Sequence, residues 1–157
     1  MGSTRIAVPA LAVVTLLAVA LCAGCGSSPK PLTRAQLVEK ANSICRRVAT
    51  KIEATSKGEK TNTAQQLARL AGKLAGFEQS ALGELSKLTP PAALETDWKR
   101  FLGGAQSLAE DTATLSETVT AKDKAAANRA VTSAETTQKQ MAAIAKRNGI
   151  KDCERVP

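Results

Sequence analysis

The stretch "LETDWKRFLGGAQSLAEDTATLSETV", residues 94–119, decides the fold. A stripe runs through Leu94, Trp98, Phe101, Ala105, Leu108, Thr112, Leu115 and Val119, in alternating steps of four and three. That spacing places these residues on one face of a helix, in the seam pattern of helices packed side by side. Strands would alternate at a period of two, which this stretch does not. Gly103-Gly104 is its one interruption and could kink or split the helix.

The neighbouring segments read the same way. A fourth helix is expected from about Asp123, with Ala127, Val131, Ala134, Met141 and Ile144 on its inner face. Asn148-Gly149-Ile150 has the form of a helix stop, with a left-handed glycine and a hydrophobic residue clamping back. Upstream, a second helix is expected after Thr61 to Thr63, with a stripe of Leu67, Leu70, Leu74, Phe77, Ala81, Leu85 and Leu88. Gly72, Gly76 and Gly83 weaken it by roughly 1 kcal/mol each relative to alanine. Pro90-Pro91 ends it. A first helix opens at Thr33, whose hydroxyl can cap it with Gln36 as capping-box partner. Leu37, Ala41, Ile44, Val48 and Ile52 follow, and Gly58 closes it. The expected fold is all-α, an antiparallel bundle of about four helices, with the first and second and the third and fourth pairs packing loosely. Aromatic residues make up only 2% of the chain, which suits close-packed helices better than a sandwich of strands.

The N-terminus sets the compartment. Arg5 precedes an apolar run from Ile6 to Leu21, and Cys22-Ala23-Gly24-Cys25 follows. A short positive region, an apolar core and small residues directly before a cysteine are the layout of a bacterial lipoprotein signal. Cleavage before Cys25 would leave its thiol to carry a diacylglycerol. An uncleaved membrane anchor is the alternative, since about 20 apolar residues span a bilayer. The domains are then a signal peptide over 1–24, a flexible tether over 25–32 and a helical domain over 33–157.

Four cysteines follow from this scheme. Cys22 leaves with the signal and Cys25 is acylated. Cys45 and Cys153 remain as an even pair in an oxidising compartment, where a disulfide is the expected state. It would close a loop of 108 residues, and the loop-entropy treatment assigns about 4.7 kcal/mol to a loop of that size. A reactive thiol pair is the rival reading, without a Cys-x-x-Cys spacing to support it.

The chain has no histidine. This removes Ser-His-Asp and Cys-His catalysis, histidine-ligated zinc and ordinary haem attachment. No catalytic residue, metal site or cofactor is expected. Glu95-Asp97 and Glu110-Asp111 are the closest carboxylate pairs, but neighbours this near on a helix point in different directions. The net charge is +8, concentrated in 30–60 and 139–157, the segments that hold the two remaining cysteines. Arg46 and Arg47 flank Cys45, and Lys151 and Arg155 flank Cys153, so a basic patch is expected beside the bridge. Anionic lipid headgroups or acidic envelope polymers would fit it; a solvated basic face is the plain alternative. Nucleic acid is not expected, because stacking aromatics and phosphate loops are missing. Trp98 and Phe101 are candidate contacts for an apolar ligand, or else core. "LTRAQ" at Leu32 to Gln36 resembles the Leu-Thr-x-x-Gln motif of small periplasmic stress chaperones; helix capping also explains it.

Taken together, the mature chain resembles a group of small lipoproteins from GC-rich Gram-positive bacteria. The matching pieces are Leu32-Thr33, Asn42-Ser43-Ile44-Cys45, Leu88-Thr89-Pro90-Pro91 and Gly149-Ile150-Lys151-Asp152-Cys153, in that order. Leu37 and Asn148 stand where that group often has an aromatic residue, or an aromatic or leucine, respectively. The resemblance implies an extracytoplasmic helical domain without an assigned activity. The expected function is a non-enzymatic binding or structural module of the cell envelope, anchored to the membrane and engaging a protein partner not specified by the sequence. The alternatives are a carrier or sensor of an apolar ligand and a helical protein like the periplasmic stress chaperones.

Overall fold

A computed structural model describes residues 30–155. The signal segment and the lipidation residue Cys25 lie outside the described residues. Four helices form: α1 (Arg34–Gly58), α2 (Ala64–Leu85), α3 (Glu95–Thr120) and α4 (Lys124–Asn148). Short 3-10 turns cover Ala92–Leu94 and Lys151–Arg155, and no strand occurs among the described residues. The connections between helices are short, so consecutive helices run antiparallel. Cross-contacts confirm the direction. The Ser116 hydroxyl near the end of α3 donates to the Ala68 carbonyl near the start of α2 at 2.8 Å. Asp97 at the start of α3 meets Arg147 at the end of α4.

The helix ends follow from their sequence. Thr33 Oγ1 accepts from the Gln36 N–H at 3.2 Å, and Gln36 Oε1 accepts from the Thr33 N–H at 2.9 Å. This closes a capping box, so capping occupies both polar residues of "LTRAQ". Thr63 and Gln66 repeat the device at α2. Asp123 Oδ1 accepts from the Ala126 N–H and caps α4. At the far end of α4, Gly149 takes φ 80°. Its N–H donates to Lys146 and that of Ile150 to Ala145, the paired bonds of a Schellman stop. Ile150 is 2% exposed, so the hydrophobic clamp closes as its position indicates.

The core lies toward one end. Leu37, Ala41, Ile44, Val48 and Ile52 of α1 pack with Ala81 and Leu85 of α2, Trp98 to Leu108 of α3, and Met141 and Ala145 of α4. The α1 stripe is buried as its spacing requires. Leu32 packs against this core and its N–H donates to the Thr89 carbonyl at 2.9 Å. The last residue of the expected tether is therefore part of the folded unit.

Several expectations need correction. Gly103-Gly104 does not split α3, which is continuous. A Cβ on Gly104 would sit 2.6 Å from Met141 Cγ, so this glycine admits α4 to close range. The third and fourth helices do not pack loosely. α3 makes extensive contact with both α2 and α4, while α1 meets α2 less extensively. In α2 the buried residues are Ala68, Leu70, Ala71, Glu78, Ala81 and Leu85. Leu67 is 37% exposed and Leu74 and Phe77 are half-buried. Ala68 lies against α3, where its carbonyl accepts from Ser116, and a small side chain there lets the two backbones approach. Val131 of α4 is exposed and Ala130 is buried in its place.

Candidate interaction surface

Cys45 and Cys153 are bonded, with S–S 1.96 Å and Cα–Cα 5.1 Å. Both are buried. The bridge fastens the final 3-10 turn along the flank of α1. Three further contacts seat that turn. The Asp152 N–H donates to Asn42 Oδ1 at 2.9 Å. Arg46 pairs with Asp152 at 3.2 Å. Cys153 Sγ lies 3.6 Å from the Ala41 carbonyl oxygen.

The cations flanking the bridge differ in state. Arg46 is paired with Asp152, and Arg47 reaches across to Glu84 of α2 while also donating to Ser43. Lys151 is exposed and has no ion pair among the described residues. The side chain of Arg155 lies outside what is described. The two arginines thus tie α1 to its neighbours.

A polar cluster absent from the sequence reading holds the same end together. Arg147 donates to Asp97 in bidentate fashion, Nε to Oδ2 at 3.1 Å and Nη2 to Oδ1 at 2.9 Å. Asn148 Nδ2 donates to Asp97 Oδ2 and to the Ile144 carbonyl, both at 2.9 Å. The Arg147 and Asn148 donors hold the Asp97 carboxyl down to about 2. Asn148 is buried, which is tolerable because its amide is bonded. Asp97 and Asn148 lie 51 residues apart, and no local pattern couples positions that far apart.

Trp98 and Phe101 stack on each other, centroids 5.5 Å apart, and both belong to the core. One edge of Trp98 also borders a cleft of about 460 Å³, lined by Pro31, Leu88, Pro90, Leu102 and others. The Trp98 Nε1 has no hydrogen-bond partner among the described residues. Phe101 instead faces an internal apolar cavity of about 30 Å³ between the four helices.

Glu78 lines that internal cavity and is 9% exposed. Its Oε2 is buried without a partner among the described residues. Burial pushes its carboxyl up to about 7, while the Thr112 hydroxyl pulls the other way. Glu78 sits four residues after Leu74 and three before Ala81. That spacing placed it on the inner face and could have marked it from the sequence.

The described residues bring together no group of three or more acidic or cysteine side chains able to hold a metal. No described helix is long and apolar enough to cross a membrane. Comparison with known proteins found no family model, curated protein or solved structure that matches the chain.

Proposed function

We propose that this chain is a membrane-anchored extracytoplasmic lipoprotein whose helical domain binds an envelope component and catalyses no reaction. The buried Cys45–Cys153 bridge carries the reading, because disulfides persist in oxidising compartments. The apolar run ending in Cys22-Ala23-Gly24-Cys25 supports it from the other end of the chain. The order of motifs that resembles small lipoproteins of GC-rich Gram-positive bacteria points the same way. The chain has no histidine for general acid–base work.

Intact mass of the protein purified from a bacterial membrane tests the reading, with and without reductant. The expected mass is that of residues 25–157 plus a diacylglyceryl group, rising by two hydrogen atoms on reduction. An unprocessed mass would replace the lipid anchor by a membrane span. A processed mass with free thiols would reopen a redox role for Cys45 and Cys153.

The cleft beside Trp98 favours a second reading, a carrier or sensor of an apolar ligand. Trp98 is the only tryptophan. Its emission should shift on titration with an extract of membrane lipids, and an unchanged spectrum would remove this reading.

A further inference from the structure

We infer that the end of the bundle from which residue 30 emerges is a docking face for an anionic bilayer surface, contacted by Lys30, Arg34, Lys87, Lys146 and Lys151. The inference rests on the lipid-anchor reading and adds to it which face meets the membrane and by what chemistry.

These five cations come from four separate segments that the fold gathers at one end. Leu32 bonds to Thr89, which brings the start of α1 to the α2–α3 connection. Asp97 bonds to Arg147 and Asn148, which brings the start of α3 to the end of α4. Leu37, Leu94, Asp97, Asn148 and Ile150 line one small shared cavity, so all of these termini meet. Each of the five cations is exposed, and none has an ion pair among the described residues.

The carboxylates of this end are largely engaged elsewhere. Glu84 is held by Arg47, Glu95 by Lys99, Asp97 by Arg147 and Asp152 by Arg46. Only Glu39 and Glu154 stand there without an ion pair among the described residues. Positive charge is therefore left over at the surface. The opposite end also carries exposed cations without an ion pair among the described residues, Lys60, Arg69, Lys122, Lys124 and Arg129, so what singles out the proposed face is its place where residue 30 emerges.

Helix stability accounts for Lys146, in the last turn of α4, but not for Arg34. Arg34 occupies the first turn of α1, which has no acidic residue. A helix N-terminus disfavours a cation. Lys30 and Lys87 are chain neighbours of Pro31 and Leu88, which line an apolar cleft with Pro90, Trp98 and Leu102; the paired Glu95 and Lys99 complete its rim. Basic side chains around an apolar recess are the makeup of surfaces that sit in the headgroup layer. The tether adds proximity. Four residues lie between a lipidated Cys25 and Lys30, and at about 3.6 Å per residue the five steps span about 18 Å at most. That is about two screening lengths at physiological salt.

The test uses the full lipidated protein in vesicles of phosphatidylcholine alone, or of phosphatidylcholine mixed with phosphatidylglycerol. A water-soluble amine-acylating reagent is applied and each lysine is read by peptide mass spectrometry. Lys30, Lys87 and Lys146 should label several-fold more slowly on the anionic vesicles, and high salt should abolish the difference. Lys122 and Lys124 should label equally on both. An Arg34→Glu, Lys87→Glu double variant, changed only at exposed sites, should lose the protection at Lys30 and Lys146. Equal labelling of all lysines on protein that floats with both vesicles would overturn the docking face and leave the anchor standing. Failure to float with neutral vesicles would overturn the anchor and the docking face together. Protection produced by soluble poly(glycerol phosphate), but not by anionic vesicles, would replace the bilayer with an acidic polymer.

Discussion

Two carboxyls, Glu78 and Asp97, show how neighbours set the charge state of one side-chain type. Asp97 receives three hydrogen bonds from Arg147 and Asn148 and stays ionised down to about 2. Glu78 has no cation beside it in its cavity, and burial raises it to about 7. The folded state therefore binds the Glu78 proton more tightly than the unfolded chain, whose ordinary value is 4.5. The contribution from Glu78 is full below pH 4.5 and falls as pH rises through about 7. The ceiling on that loss is about 3 kcal/mol. Glu78→Gln keeps the shape and removes the titration. Urea unfolding of the variant at pH 5 and pH 8 should give nearly equal stabilities over a range where the wild type weakens. A wild-type stability that is flat over that range would show Glu78 to be ordinary.

Among the elements, α3 tests how glycine acts in a helix. Gly103 and Gly104 are adjacent, yet their surroundings are opposite. A Cβ on Gly103 meets nothing within 4 Å, whereas one on Gly104 meets Met141. Gly103→Ala should stabilise by about 1 kcal/mol through helix propensity alone. Gly104→Ala gains the same propensity but overpacks against Met141, which costs about 1–3 kcal/mol. The expected order in thermal melts is Gly103→Ala above wild type and Gly104→Ala at or below it; an equal rise in both would show that Met141 yields freely. The same contrast explains what the sequence did not reveal. The α1 stripe and the α4 stop were legible, since Leu37 to Ile52 and Asn148 to Ile150 obey local rules of period and capping. In α2 the stripe holds at Leu70, Ala81 and Leu85 but omits the buried Ala68, Ala71 and Glu78, because the helix contacts both α1 and α3. Leu67 then lost its place to Ala68, although leucine is the stronger hydrophobic signal. The basic residues were legible as a charge excess, but their pairing was not. Arg46 and Arg47 find Asp152 and Glu84 across the fold, and Lys30, Lys87 and Lys146 converge only once the helices are antiparallel.

At the scale of the molecule, stability is graded along the bundle axis. Trp98 to Leu108, Met141, Ala145, Ile150 and the bridge occupy one end, joined by the α1 stripe that starts at Leu37 and runs on to Ile52. Toward the other, Thr112, Leu115 and Val119 of α3 are half-buried, Val131 is exposed, and α4 offers mostly alanine and threonine. Fewer buried apolar contacts mean cheaper local opening. Amides around Phe101 to Leu108 and Met141 to Ala145 should exchange with solvent only through global unfolding. Those of residues 64–70 and 124–132 should exchange faster by opening locally. The bridge sharpens the gradient, because α1 meets α2 less extensively than α3 meets its neighbours, and Cys153 locks the final turn to α1. Replacing Cys45 and Cys153 with serine should cost about 2–5 kcal/mol. The loss should speed exchange most in the buried half of α1, Leu37 to Ile52, since that helix loses its covalent tie. Uniform acceleration across all four helices would instead place the effect of the bridge in the unfolded chain alone. Acceleration confined to α1 and the final turn would show that the disulfide keeps the proposed docking end assembled.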